Sequence, residues 1–200
     1  MSPLANRLIL ASTSRYRCEL LNRLQLPFNV DPPAVDETPE PGEAPAALAA
    51  RLALAKAKAV ADRHPTAWVI GADQVAACRG QILGKPGGFL RACEQLTAAS
   101  GQSVVFYTAV TLIRQDLGRC ASHLDQTVVR FRVLDAGEIE HYVKRDTPYD
   151  CAGSFRSEGL GISLFERIDS EDPTALVGLP LIWLAAALRT AGLSPIDGPP

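Results

Sequence analysis

Three clusters in this chain combine residue types that chemistry needs. The first is Ser12, Thr13, Ser14, Arg15, Tyr16 and Arg17, directly after the apolar run "LILA". Hydroxyls, the free amides of a helix start and two guanidinium groups make a sensible phosphate cradle. Acidic side chains are the usual choice in a first helical turn, because the macrodipole is positive there. Arginines at that place ask for an anion that the sequence does not supply. A plain capped helix with solvated arginines accounts for the same residues, and no Walker or dinucleotide pattern is present.

The second cluster is "VIGADQV", where Asp73 and Gln74 follow an apolar strand and two small residues. A carboxylate buried there is expensive unless a metal or a role as base accounts for it. Ligands gather at strand ends in α/β sheets, which favours a functional reading of Asp73. Gln74 has two uses open to it, a hydrogen bond to a polar base or a place pointing away along the strand.

The third group is scattered. Glu37 in "VDET" lies in a Pro-rich acidic loop, where it is either solvated or a ligand for a hard divalent cation. Lys56 and Lys58 stand two apart on an Ala-rich helix, so they point to different faces and at most one faces a cleft. Lys85 sits on the "GKP" corner, an ordinary turn lysine or a point charge for a phosphate. The loop "CAGSFRSEGLGI" holds Arg156 and Glu158 among glycines and serines, more backbone freedom than a connection needs. The histidines have no Ser or Cys partner, so a hydrolytic triad is unsupported.

The elements that position these residues are legible from periodicity. Strands are expected at "RLILA", "AWVIGADQVA", "QSVVFYTAVTLI", "CASHLDQTVVRFRVL" and "SLFERIDS". Helices are expected after "STS", over 46–63, over 89–99, after Asp135 with a capping box to Glu138, and over "TALVGLPLIWLAAALRTAG". A hairpin turn is expected at Arg79-Gly80. Alternating elements followed by paired strands predict an α/β fold with a mixed, twisted β-sheet flanked by helices around a central cleft. Residues 1–200 are read as one domain, with room for two lobes around that cleft.

Composition bounds the partners. Twenty basic against 22 acidic residues give a net charge of -2, no bulk footprint for nucleic acid or anionic lipid. The five cysteines are scattered without ligand spacing, which argues against disulfides and structural zinc. No signal segment or membrane span is apparent, so a cytoplasmic protein is expected.

Together, "LILASTSRYRCELL", "VDET", "RLALAKA", "IGADQV", "LGKP", "FYTAV", "YDCAGSFRSEGLG" and "TALVGLPL" resemble the Maf family of nucleoside-triphosphate pyrophosphatases over nearly the whole chain. The resemblance implies a Maf/ITPase-like fold and hydrolysis of a nucleotide to its monophosphate and pyrophosphate. It also implies a divalent cation (Mg²⁺, Mn²⁺ or Co²⁺), a homodimer and a house-cleaning role in nucleotide metabolism. In such enzymes the aspartate aligned with Asp73 is the base. "ADQV" with "CAGSFRSEG" is similar to the branch acting on 7-methyl-GTP, and Tyr16, Gln74 and Glu158 align with its specificity positions.

That reading makes Asp73 catalytic and a metal ligand with Glu37. It assigns Ser12, Ser14, Arg15, Tyr16, Arg17, Lys56, Gln74, Lys85 and Glu158 to the substrate. N7-methylation makes guanine cationic, so the Tyr16 ring can stack on it and Glu158 can pair with its charge or its N–H donors. Two rivals stand beside it: a dTTP/UTP pyrophosphatase of the same fold, and a non-catalytic nucleotide-binding regulator of cell division.

Overall fold

A computed structural model describes residues 8–197. Arg7, expected to open the first strand, lies outside the described residues. The described residues begin with β1 (Leu8–Ala11), α1 (Arg15–Asn22), β2 (Asn29–Val30), α2 (Pro45–Ala61) and β3 (Trp68–Cys78). They continue through β4 (Gln81–Leu83), α3 (Phe89–Ala99), β5 (Ser103–Arg114), β6 (Arg119–Phe131) and α4 (Ala136–Asp146), and end with β7 (Phe165–Asp169) and α5 (Leu181–Thr190). The seven strands among the described residues join one sheet in the order β2-β1-β3-β5-β6-β7, with β4 beside β3. β1 pairs parallel with β2 and β3, and the other pairings are antiparallel, so the expected mixed sheet is present.

β3 is buried on both faces, and its period of two sorts its neighbours. Trp68, Ile70 and Ala72 pack with α1 and α5, and Ala76 and Cys78 pack further along the same face with α3 and α4. Val69 and Val75 turn the other way, toward α2. Between the two clusters of the first face, Gln74, Thr108 and Asp125 stand opposite one another across β3, β5 and β6. This polar row divides the core and carries the turn that follows β7.

Local chemistry explains several elements. Arg79 and Gly80 both take positive φ, 49° and 78°, as a tight two-residue hairpin requires. Asp135 accepts from the Glu138 amide at 2.9 Å while Glu138 accepts from the Asp135 amide at 3.1 Å, the reciprocal box expected. The expected terminal helix is corrected: it starts at Leu181, not at Thr174. Gly178 has φ of 128°, which no helix tolerates. The Thr174 hydroxyl donates to Asp172 Oδ1 at 2.6 Å and accepts from the Leu181 amide at 2.9 Å, and Asp172 Oδ2 accepts from the Ile182 amide at 2.7 Å. Side chains thus satisfy the start of α5 and leave residues 174–178 as a turn.

Candidate active site

The register of β3 makes the opening. Its last pair with β1 is Gly71 with Ala11, and β4 joins only at Ala76. Asp73 and Gln74 lie in the interval, and the chain leaving β1 turns into α1 beside them. A cleft of about 690 Å³ forms there. Ser12, Ser14, Arg15, Tyr16, Arg17, Glu37, Lys56, Asp73, Gln74, Lys85 and Glu158 all line it.

Asp73 is buried and meets a lysine. Lys56 Nζ lies 2.7 Å from Asp73 Oδ1 and 2.6 Å from Glu37 Oε1. The approach depends on α2, whose Ala49, Ala53 and Ala57 form a buried small-residue stripe. A Cβ on Gly71 would run into the Ala53 carbonyl and the Ala57 amide, so helix and strand touch backbone to backbone. Lys56, next to Ala57, is buried in consequence, whereas Lys58 is exposed. Of the two lysines, only the first faces the cleft.

Burial opposes ionisation of Glu37, but the hydrogen bond to Lys56 and the charges of Lys56, Lys85 and Arg17 outweigh it and hold the carboxyl below its ordinary range. Arg17 loses hydration, which lowers its pKa against the opposing pull of Asp73 and Glu37. Its Nε donates to the Gly178 carbonyl at 3.0 Å. Gln74 Nε2 lies 2.9 Å from Thr108 Oγ1 and 3.0 Å from the Ala175 and Leu176 carbonyls. The 174–178 turn is therefore fastened to α1 and to β3 from within the cleft.

At the other end, Ser14 caps α1 by accepting from the Arg17 amide, and buried Ser12 accepts from the Ser14 amide at 3.1 Å. Arg15 Cζ lies 4.7 Å from the Tyr16 ring centroid, and Arg15 Nη2 donates to Tyr16 Oη at 2.8 Å. Tyr16 Oη is 3.6 Å from Cys151 Sγ, which joins α1 to the 150–158 loop. Lys85 and Glu158 are exposed where they line the cleft.

The sequence reading left Arg156 without a role. It lines the cleft and is held from behind: Nη2 donates to Asp146 Oδ1 at 2.6 Å and Nε to Oδ2 at 3.3 Å. Tyr142 donates to Asp146 Oδ2 at 2.8 Å and accepts from the Arg156 amide at 3.2 Å. A Cβ on Gly161 would meet the Arg156 backbone, so the loop folds tightly round this arginine. The signal available in the sequence was Tyr142 and Asp146 four apart on one helix face; their loop partner was not.

Two carboxylates, Asp73 on β3 and Glu37 in the loop before α2, converge on the Lys56 ammonium, and their oxygens are of the kind that a hard divalent ion takes. Among the described residues no group of three or more His, Cys, Asp or Glu side chains is placed to hold a metal. All five cysteines are free. No helix among the described residues is long and apolar enough to cross a membrane.

A mixed-sheet α/β protein with a cation-rimmed cleft over a buried carboxylate is the class these features define. The chain belongs to the Maf family: the family model described as "Maf-like protein" matches residues 7–191. A "7-methyl-GTP pyrophosphatase" of Xanthomonas oryzae pv. oryzae (strain MAFF 311018) is 61% identical over 186 residues, covering 93% of this chain and 97% of that protein. Proteins of the same name from Polaromonas sp. (strain JS666 / ATCC BAA-500) and Nitrosococcus oceani are 56% and 52% identical over 194 and 191 residues, covering 97% and 96% of this chain and 89% and 96% of theirs. Among solved structures, the Staphylococcus aureus Ham1 protein aligns with 62% of this chain and 71% of its own at 13% identity and a TM-score of 0.45, a likeness too loose to build on.

Proposed function

We propose that this chain hydrolyses 7-methyl-GTP to 7-methyl-GMP and pyrophosphate, as its relatives at 52–61% identity are named for doing. The observation that carries the chemistry is the pair of carboxylates, Asp73 and Glu37, meeting at Lys56 in a cleft that Arg15, Arg17 and Lys85 also line. Asp73 takes the proton of a water that attacks the α-phosphorus. The bond from that phosphorus to the oxygen bridging toward the β-phosphorus breaks, and pyrophosphate leaves with the bonding electrons. Arg15, Arg17, Lys56 and Lys85 hold the phosphates and stabilise the negative charge that grows on the leaving group.

Glu37 and Asp73 would hold a divalent cation, Mg²⁺, Mn²⁺ or Co²⁺, which supplies Lewis-acid neutralisation of the phosphates. Tyr16 stacks on the cationic methylated base, Glu158 pairs with its charge or N–H donors, and Gln74 borders the base. Ser12 and Ser14 order the phosphate turn. The chain is read as one domain with two lobes around the cleft, working as a cytoplasmic homodimer on a free nucleotide.

The test is pyrophosphate release with Mn²⁺ or Mg²⁺ across 7-methyl-GTP, GTP, dTTP, UTP and CTP, with Asp73→Asn beside the unaltered protein. A preference for 7-methyl-GTP that disappears in the variant is the expected result. Faster turnover of the pyrimidine nucleotides would overturn the roles of Tyr16, Gln74 and Glu158. Nucleotide binding without pyrophosphate release would overturn the enzyme reading itself.

A further inference from the structure

Two carboxylates in a cleft invite a metal ion, yet here a lysine already stands between them. Lys56 Nζ is 2.6 Å from Glu37 Oε1 and 2.7 Å from Asp73 Oδ1, and its side chain is only 7% exposed. An ammonium at hydrogen-bond distance from both oxygens fills the place a shared cation would take. The surroundings add to the effect. Arg17 acts electrostatically on both carboxylates and Lys85 acts on Glu37, so three positive groups oppose two negative ones. A free divalent cation entering this cluster meets net positive charge and has to displace an anchored ammonium. A triphosphate meets the reverse situation. It is drawn to the excess positive charge, and its oxygens give the Lys56 ammonium other anionic partners on the same cleft floor.

We propose that Lys56 is a resident counter-ion that closes the Glu37–Asp73 pair to divalent cations in the nucleotide-free enzyme. The pair becomes available only when a triphosphate draws the ammonium away. Nucleotide and metal therefore bind interdependently, the metal entering with the nucleotide or after it. Lys56 keeps both carboxylates paired in the resting state and so spares the cleft an unpaired, desolvated Asp73 beside a second negative charge on the more exposed Glu37. It also prevents the site from being silently occupied by whichever divalent ion is abundant. The inference rests on the metal-assisted reading given under Proposed function.

The experiment is Mn²⁺ titration followed by the electron paramagnetic resonance of free Mn²⁺. It is run on the protein alone, on the protein with a non-hydrolysable α,β-methylene triphosphate analogue, and on the analogue alone as a control. Saturable Mn²⁺ uptake is expected with the analogue, at least about tenfold tighter than any residual uptake by the nucleotide-free protein, within the usual range of coupling between two ligands. Lys56→Met is expected to gain nucleotide-free Mn²⁺ binding, which Asp73→Asn in the same chain abolishes. Saturable binding by the unaltered, nucleotide-free protein that Glu37→Gln removes would overturn the inference, and this holds even if Lys56→Met fails to fold. A folded Lys56→Met protein with no gain in nucleotide-free binding would overturn it as well. Absence of Mn²⁺ from the ternary mixture also overturns it, and metal-independent pyrophosphate release in that case shows that the metal-assisted reading failed with it.

Discussion

Lys56 and Asp73 meet at 2.7 Å across the interface of α2 and β3 because Gly71, two residues before the carboxylate, has no side chain to hold the helix away. The helix backbone rests on the strand at that point, with the Ala53 carbonyl, the Ala57 amide and the Ala57 methyl taking the space a side chain would need. Gly71→Ala should therefore act on the site without touching it. Overpacking of a tight interior costs roughly 1–3 kcal/mol. Activity should fall further than stability, because the Lys56–Asp73 contact is displaced. Urea melts and turnover measured on the same preparation check this; wild-type turnover in a destabilised Gly71→Ala protein would show that the close crossing is structural only.

Arg15 is exposed and lies over the Tyr16 ring, whereas Arg17 is partly buried and tied to the Gly178 carbonyl. If both stabilise charge on departing pyrophosphate, Arg15→Ala lowers kcat and does not only raise KM. The expected loss is on the order of tenfold to a hundredfold, at or below the low end of what a removed transition-state donor costs, since the group is solvated. An unchanged kcat with a raised KM would reassign Arg15 to uniform binding.

Tyr142 bridges Asp146 and the Arg156 amide behind the loop that carries Glu158. Tyr142→Phe removes both hydrogen bonds and should cost about 1–2 kcal/mol of stability. It should also narrow the ratio of kcat/KM for 7-methyl-GTP over GTP, because Glu158 loses part of its support. Stability loss with an unchanged ratio would separate this clamp from base selection.

Cys151 faces Tyr16, and burial pushes its thiol up to about 11. A raised thiol pKa means that the folded state favours the neutral form. Its contribution to stability is intact below the ordinary value near 9 and declines as pH rises from there through about 11. At neutral pH the thiolate fraction is on the order of 10⁻⁴, so alkylation should be slow. Peptide mapping after iodoacetamide treatment at pH 7.5, a convenient value near ~7–8, should find exposed Cys120 modified well before Cys151. Equal rates at the two positions would contradict the thiol's burial.

The parts of this molecule that neighbouring residues decide were legible in the sequence. The Arg79-Gly80 hairpin, the span of α3 and the Asp135–Glu138 box depend on turn chemistry and periodicity within a few positions. The 174–178 turn was misread as helix because Leu, Val and Ala there suit a helix locally. What overrides them is tertiary: Gln74 and Arg17 bind the turn's carbonyls, and Thr174 and Asp172 cap α5 further on. For the site, the charged residues near apolar strand ends stood out, and all of them line one cleft. Arg156 was noted in its loop but given no role, because its meaning lies in Asp146, ten positions away and on a different element. Nor does spacing reveal that Lys56 rather than water meets Asp73, since that depends on how closely two backbones approach.

Glu37 and Asp73 differ in how they are mounted. Asp73 belongs to the longest buried run of the sheet, with α2 pressed against its backbone. Glu37 is carried by a stretch from Asp31 to Ala44 that contains neither strand nor helix, fastened at one end where Arg63 and His64 each meet Asp31 at 2.8 Å and at the other where Arg51 grips Glu43 at 2.7 Å and the Thr38 carbonyl at 3.1 Å. The pair is mounted like a vice, with one anvil in the sheet and one jaw on a loop. On the proposed mechanism, any fitting of the cleft to the substrate's phosphates falls to the proline-rich jaw, and the carboxylate proposed as base keeps its aim while that fitting takes place.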